Sequence, residues 1–343
     1  MNLHFIIGSY RPGKCGISDY VSLLSSRIKI YGVTPEIIEF RNYSGRSFLK
    51  KIEDLPHKDL LSIQFAPYSF SPIGLAGPSL LNLGRIIRNR KVHIMFHEIW
   101  IGAYRNASWK EKVLGFCQKK GVLKFLHIVQ PEWITASNAA ALYLLGREGV
   151  KVRYQYLFGN MPFTFTNTKK NNQTCKIAFF GTPYQKFPYE LLAEKLKTLF
   201  EITRQKIELR IIGRQRDKTG LAEILKIAQK HQFTTSETGE LSSDKISIEL
   251  QTCSIGVSTT PYDVLGKSGA TAAMLEHGLP VIAFDDGDTP LEKLFVNEEF
   301  SDQVFLLNNN TLIDRMIGFL NQKRKPFFDG VAYTAEDMIK MLN

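Results

Sequence analysis

Long apolar runs are missing from this chain of 343 residues. No window approaches the roughly 18–20 apolar residues that a helix needs to cross a bilayer. The opening stretch, MNLHFIIGSYRPGKCG, has too short an apolar core for a secretory signal and no basic residue ahead of it. The expectation is a soluble protein in the cytoplasm. Cysteine is scarce: Cys15, Cys117, Cys175 and Cys253 are scattered without paired spacing. That argues against a disulfide framework or a structural zinc site and suits a reducing compartment. There is no low-complexity tract, no repeat at a solenoid period, and no aromatic–basic interleaving of the RNA-binding kind.

What is present in excess is positive charge, a net +11 from 44 Lys and Arg against 33 Asp and Glu. The basic residues are spread through the chain, and KKNNQTCK and NQKRKP are only short clusters, so nucleic acid is not an expected partner. A solvated surface explains most such clusters. Contact with an anionic membrane is the alternative, and phosphorylated small molecules would feel the same field.

Short apolar runs alternate with helical patterns from end to end. LHFIIG, PEIIEF, LLSIQF, KVHIMFH and EWITAS read as strands, with helices at ISDYVSLLSSRI, LLNLGRIIRN, WKEKVLGFCQKK and AAALYLLGREG, and VKVRYQYL closes this half. The stretch GNMPFTFTNTKKNNQT, 159–174, is polar and shows neither period, so it reads as a linker. Alternation then restarts with CKIAFFG, IELRIIG, FTTSE, SIGVST and PVIAFD, and the chain ends in a helix, TAEDMIKMLN. This pattern implies α/β architecture with parallel sheets covered on both faces. The expected organisation is two Rossmann-like domains facing across a cleft. Residues 1–160 would form the first domain, 161–325 the second, and 326–343 a helix that packs back on the first.

Two segments come close to a phosphate-binding loop, Gly-x4-Gly-Lys-[Ser/Thr]. In GSYRPGKC, Gly8, Gly13 and Lys14 are in register, but Cys15 stands where a magnesium-binding hydroxyl belongs. In PYDVLGKS, Lys267 and Ser268 fit, but Pro261 replaces the first glycine and removes an N–H from the cradle. Each fails at a functional position. What survives is a glycine-bearing turn leading into a helix in each half, and a helix start presents free N–H groups and partial positive charge to a diphosphate. Glu276 lies eight residues after Ser268, about 12 Å along a helix, where a carboxylate suits ribose hydroxyls rather than phosphate.

GKSGATAAMLEHGLPVIA, preceded by GELSSDKISIELQTCSIGVST, resembles the donor-binding half of GT-B glycosyltransferases, specifically the retaining enzymes of glycosyltransferase family four. PGKCGISDYVSLLSSRI resembles the acceptor-side glycine loop and first helix of that group, and SIQFAPYSFSP, IMFHEIW and ITASNAAALYLLGREG follow in the family's order. The resemblance implies a nucleoside-diphosphate sugar as donor, most simply UDP-linked, a glycan or lipid-linked acceptor, retention at the anomeric carbon, and neither cofactor nor metal. It implies that Ser268, Gly269 and Ala270 hold the diphosphate and Glu276 the ribose, with Lys186 neutralising charge and Gly16 approaching from the other domain. Gly213, Arg214, Glu240 and Leu241 would line the nucleoside pocket. His97 would lie near the transferring sugar, with Asp19 the second polar candidate on the acceptor side. Two departures stand out: Ser268 replaces the first glutamate of the family's Glu-x7-Glu pair, with Asp263 the acid that could swing in, and Thr182 replaces an arginine.

Rival readings remain. Asp286-x-Asp288 resembles the metal-binding triad of the other major glycosyltransferase fold, but it comes late in the chain. His93 and His97 share a strand face without a third ligand, which argues against zinc. A sugar-nucleotide epimerase on the same fold and a non-catalytic nucleotide-binding regulatory protein are the functional alternatives. A lipid-linked acceptor would bring the protein to the inner membrane face.

Overall fold

Parallel strands packed on both sides read as near-continuous apolar runs, and β3 (Leu60–Phe65) and β4 (Val92–Phe96) are buried at every position, the polar Ser62, Gln64 and His93 included. The structure is a computed structural model that describes residues 2–40, 46–71, 74–75, 77–103, 107–166, 173–215, 218–285 and 297–342. It divides into two units, Met1–Tyr156 with Val331–Asn343, and Leu157–Gly330.

In the first unit β1 (Asn2–Ile7), β2 (Thr34–Glu39), β3, β4, β5 (Trp133–Ala136) and β6 (Arg153–Tyr154) form one sheet in the order β2-β1-β3-β4-β5-β6. Every described pair is parallel, with Phe5 opposite Ile37 and Ile63 opposite Ile94. One face buries Ile63, Phe65, Ile94 and Phe96 with Leu80, Val122 and Phe125 from the helices Gly77–Ile87 and Trp109–Val129. The strand order reverses between β1 and β3, which opens a crevice at their carboxyl ends. A side chain cannot fit at that point: a Cβ on Gly8 would lie 1.9 Å from the Ser69 carbonyl oxygen.

The second unit repeats the plan with β7 (Thr174–Phe180), β8 (Lys206–Ile212), β9 (Thr234–Glu237), β10 (Ile255–Pro261), β11 (Val281–Phe284) and β12 (Val304–Leu306) in the order β12-β11-β10-β7-β8-β9. Its core gathers Ile177, Phe179, Leu196, Leu209, Ile255 and Phe305. The switch point lies between β10 and β7.

The linker reading of 159–174 needs correction over its described part. The Gly159 N–H donates to Glu276 Oε1 at 2.9 Å, the Thr164 N–H to Ser247 Oγ at 2.9 Å, and Phe163 stacks on Phe327 at 4.9 Å. Polarity suggested a solvated tether, but the aromatic ring and the paired backbone groups bind this stretch to the second unit; residues 167–172 lie outside the described residues. At the other end, the helix Gly330–Leu342 belongs largely to the first unit, where Asp337 pairs with Arg153 and Thr334 Oγ1 donates to the Tyr156 carbonyl at 3.1 Å.

Candidate functional site

Glycine turns follow two adjacent strands of the second sheet. Gly181 and Gly213, just beyond β7 and β8, have φ of +87° and +88°, a region that L side chains rarely adopt. A Cβ on Gly181 would sit 3.2 Å from Ala270 Cβ, so the end of β7 lies directly against the start of the helix Gly269–Glu276. The Tyr184 N–H donates to Thr259 Oγ1 at 2.9 Å and ties the loop carrying Lys186 to the end of β10. Lys186 is exposed, and no described group pairs with it.

Ser268 caps that helix. Its Oγ accepts from the Thr271 N–H at 3.2 Å and the Thr271 hydroxyl at 2.9 Å, while Thr271 also bonds Ser258 Oγ at 2.8 Å. Both bonds arrive as acceptances, so the Ser268 proton remains for an outside acceptor. The Ala272 N–H is taken by the Ser268 carbonyl. Gly269 and Ala270 are therefore the two first-turn N–H groups with no acceptor among the described residues, at the positive end of the helix dipole. Small residues keep this helix thin: a Cβ on Gly159 would lie 2.6 Å from Ala273 Cα.

Gly213, Arg214, Glu240 and Leu241 are brought together beyond β8 and β9. Gly213 bridges to Gly239 and its N–H donates to Thr238 Oγ1 at 2.9 Å. Arg214 and Glu240 approach to 3.9 Å, both largely exposed, so their attraction is worth little to stability and both heads remain available. Leu241 is half-buried beside them. Glu276, by contrast, does not stand open: it is 2 % exposed and one carboxylate oxygen holds the Gly159 N–H. The expected ribose ligand has a structural task that the sequence did not show. Asp263 is likewise buried within the turn Tyr262–Lys267 rather than free to swing. Asp286 and Asp288 lie outside the described residues.

On the first unit the glycine loop 8–16 is held from the helix Gly16–Ile28. Asp19 Oδ1 accepts the Gly13 N–H at 2.5 Å, and Ser18 Oγ accepts the Arg11 N–H at 2.9 Å and donates to the Ser9 carbonyl at 3.1 Å. Asp19 thus shapes the loop through its carboxylate. Gly16 has open space above it, with nothing within 4 Å of an added Cβ.

His97 lies just past β4, buried, with Nε2 2.8 Å from Gln64 Oε1 and its ring edge-on to Tyr20 at 5.1 Å. Gln64 Nε2 donates to Ser62 Oγ at 2.8 Å, Ser62 meets His93 Nδ1 at 2.9 Å, and His93 Nε2 meets Thr135 Oγ1 at 2.9 Å. Thr135 donates to Gln155 Oε1 at 2.7 Å, and Gln155 Nε2 donates to Tyr20 Oη at 3.0 Å. Gln64 Oε1 can only accept, and each hydroxyl and neutral imidazole of the chain has one proton to give, so the chain runs one way: His97 Nε2–H heads it, and its Nδ1 keeps a lone pair. Burial pushes the pKa of both His93 and His97 down to about 3, so both rings are neutral near pH 7. The same burial raises the Tyr20 phenol well above its ordinary value. Sequence reading missed Gln64, Thr135, Gln155 and Tyr20. The available signal was Ser62 and Gln64 alternating in an apolar strand on the face that His93 and His97 share.

Among the described residues, no three His, Cys, Asp or Glu side chains gather as a metal site, and no helix is long and apolar enough to cross a membrane.

No family model matches the sequence, and no curated protein does. Solved structures do match. HepE of Anabaena, in complex with UDP and glucose, aligns over 100% of this chain and 99% of its own with a TM-score of 0.55 at 12% identity. A glycosyltransferase from Rickettsia africae aligns over 99% of this chain and 93% of its own with a TM-score of 0.54 at 14% identity. The fold is GT-B. A putative UDP-N-acetylglucosamine 2-epimerase from Listeria monocytogenes also matches, over 98% and 94% of the two chains, with a TM-score of 0.51 at 10% identity. Such identities carry the GT-B architecture and leave the reaction to be argued from the site.

Proposed function

We propose that this protein is a retaining glycosyltransferase of the family-four kind that moves a sugar from a nucleoside-diphosphate sugar, most simply UDP-linked, to a glycan or lipid-linked acceptor. The observation that carries this reading is the pair of free N–H groups of Gly269 and Ala270 at the start of a helix, against the side-chain-free Gly181. Such a site takes a diphosphate. The UDP bound in HepE supports the choice of nucleotide.

Breaking a sugar–phosphate bond leaves a nucleoside diphosphate and a cationic, oxocarbenium-like sugar. The fixed N–H dipoles, the Ser268 hydroxyl and Lys186 would stabilise the leaving charge in place of a metal. The departing diphosphate then takes the acceptor's proton, so no separate base is needed. Gly213, Arg214, Glu240 and Leu241 would receive the nucleoside, and Glu276, clamped by Gly159, the ribose. Gly16, His97 and Asp19 are the candidates of the first unit; His97 would serve as a neutral hydrogen-bond partner for a sugar hydroxyl rather than as an acid. The reading places the enzyme in the cytoplasm, in peripheral contact with anionic membrane when its acceptor is lipid-linked.

A thermal-shift series with UDP, GDP, ADP and ATP, each with magnesium and with EDTA, tests this. A ligand bound only by the folded state raises the melting temperature. A shift with one nucleoside diphosphate that survives EDTA supports the reading; a shift with ATP alone that vanishes in EDTA overturns it. The epimerase among the similar folds is the specific reason for a second reading. Interconversion of two sugar nucleotides without any acceptor would establish it.

A further inference from the structure

The helix Trp109–Val129 turns an unusual face to solvent. Trp109, Val113 and Phe116, at the i, i+4, i+7 spacing of one stripe, are 71 %, 56 % and 55 % exposed. Exposed Lys110, Lys112, Lys120 and Lys124 surround them, with the Lys120 ammonium 4.5 Å from the Phe116 ring centroid. The helix has one carboxylate, Glu111, and the capping box with Ser108 engages it. The exposed face is therefore an apolar, aromatic stripe over its first two turns, flanked and followed by lysines.

Beside that face lies a cavity of about 230 Å³ walled by Phe65, Pro67, Leu75, Pro78, Leu80 and Val122, with Cys117 joining it to the exposed stripe. Gly77 and Gly121 keep it open, since a Cβ on Gly121 would meet only Gly77 Cα, at 3.8 Å. Among the described residues one side-chain amide lines it. Gln118 is 4 % exposed; its Oε1 accepts the Ile101 N–H at 3.0 Å, while its Nε2 is buried with no partner among the described residues. Gly74 makes room for that amide, since a Cβ there would lie 2.4 Å from Nε2. A buried donor without an acceptor costs free energy. The cavity exceeds the ~150 Å³ apolar void that accepts benzene, so an apolar chain segment with one oxygen acceptor fits both its volume and its chemistry.

We infer that this helix and the adjoining cavity form a lipid site: the aromatic stripe enters an anionic bilayer surface, the lysines meet its headgroups, and the cavity takes part of an acyl chain whose ester carbonyl accepts from Gln118. An amphipathic helix with basic flanks binds such interfaces through buried apolar area and attraction to anionic lipid together. The inference extends the membrane contact in the reading above but needs no sugar transfer, and its test reads binding alone.

The test compares co-sedimentation with vesicles of phosphatidylcholine and of phosphatidylcholine with phosphatidylglycerol. Binding to the anionic vesicles only is expected, lost in about 1 M salt, where charge is screened within about 3 Å. Trp109→Ser with Phe116→Ser should weaken it by about ten-fold or more. Both side chains are exposed, so folding is preserved, and an unchanged thermal shift with the nucleotide that the wild type binds keeps the result separate from the enzymatic reading. For the cavity, Gly121→Leu should abolish calorimetric binding of dioctanoyl phosphatidylglycerol while leaving vesicle docking intact. Absence of vesicle binding, or binding that ignores the double substitution, overturns the surface. A dimer in solution that depends on Trp109 and Phe116 overturns it too, by assigning the stripe to a second copy. Wild-type affinity of Gly121→Leu for the short-chain lipid overturns the cavity.

Discussion

Gln64 holds His97 by its Nε2 at 2.8 Å, and this one contact sets the tautomer of the ring. The other amide group of Gln64 is committed to Ser62 at 2.8 Å, so the side chain cannot turn over without breaking both bonds. His97 is left with a proton on Nε2 and a lone pair on Nδ1.

Nitrogen NMR of the histidine rings checks this. His97 should show the Nε2–H form alone and should not titrate between pH 8 and 5. Gln64→Leu should mix the tautomers and destabilise the first unit by about 1–3 kcal/mol, the cost of an unpaired buried donor. A His97 ring that titrates near its ordinary value would refute the assignment.

Acid should unfold the protein from mildly acidic pH onward. His93 and His97 are held down to about 3 by burial, and His277 to about 4, by burial first, against the opposing bond from its Nδ1 to the Ala273 carbonyl at 2.7 Å. Between those values and about 6.5 the unfolded chain binds protons that the folded one refuses, so stability is present above pH 6.5 and falls as pH drops. At pH 5 each buried ring accounts for a loss of roughly 2 kcal/mol. Urea melts at pH 7 and pH 5 measure the difference; equal midpoints would contradict the burial of neutral rings.

Lys186 and Glu276 should separate by phenotype. Lys186 is exposed and unpaired among the described residues, so Lys186→Ala should weaken nucleotide binding several-fold and leave the melting temperature unchanged. Glu276→Ala removes the acceptor of the Gly159 N–H and should cost about 1–3 kcal/mol of stability, with weaker nucleotide binding in the fraction that folds. Calorimetric titration of both variants, with melts, reads the two effects; unchanged nucleotide affinity in both would remove them from the site.

The glycines should divide in the same way. Gly16→Ala meets open space and should leave stability within about 1 kcal/mol. Gly8→Ala and Gly159→Ala put a methyl group 1.9 Å and 2.6 Å from backbone atoms and should destabilise by at least about 1–3 kcal/mol. Melting curves rank them, and a tolerated Gly8→Ala would mean that the Ser69 turn yields.

The sequence by itself determined the alternation of elements, because buried parallel strands must be apolar runs and their crossovers must be amphipathic helices. It also put glycines directly after β7 and β8, where Gly181 and Gly213 take a positive φ that L side chains rarely adopt. Tertiary structure decided which polar groups are committed. That Asp19 serves the Gly13 N–H, that Glu276 grips Gly159, that 159–166 is packed rather than a tether, and that seven side chains from His97 to Tyr20 form one hydrogen-bonded chain all depend on contacts that the linear sequence does not show. Periodicity reports which face of a strand or helix is buried; it carries nothing about the partner that waits there, and burial without a named partner gives a carboxylate or an imidazole no defined role.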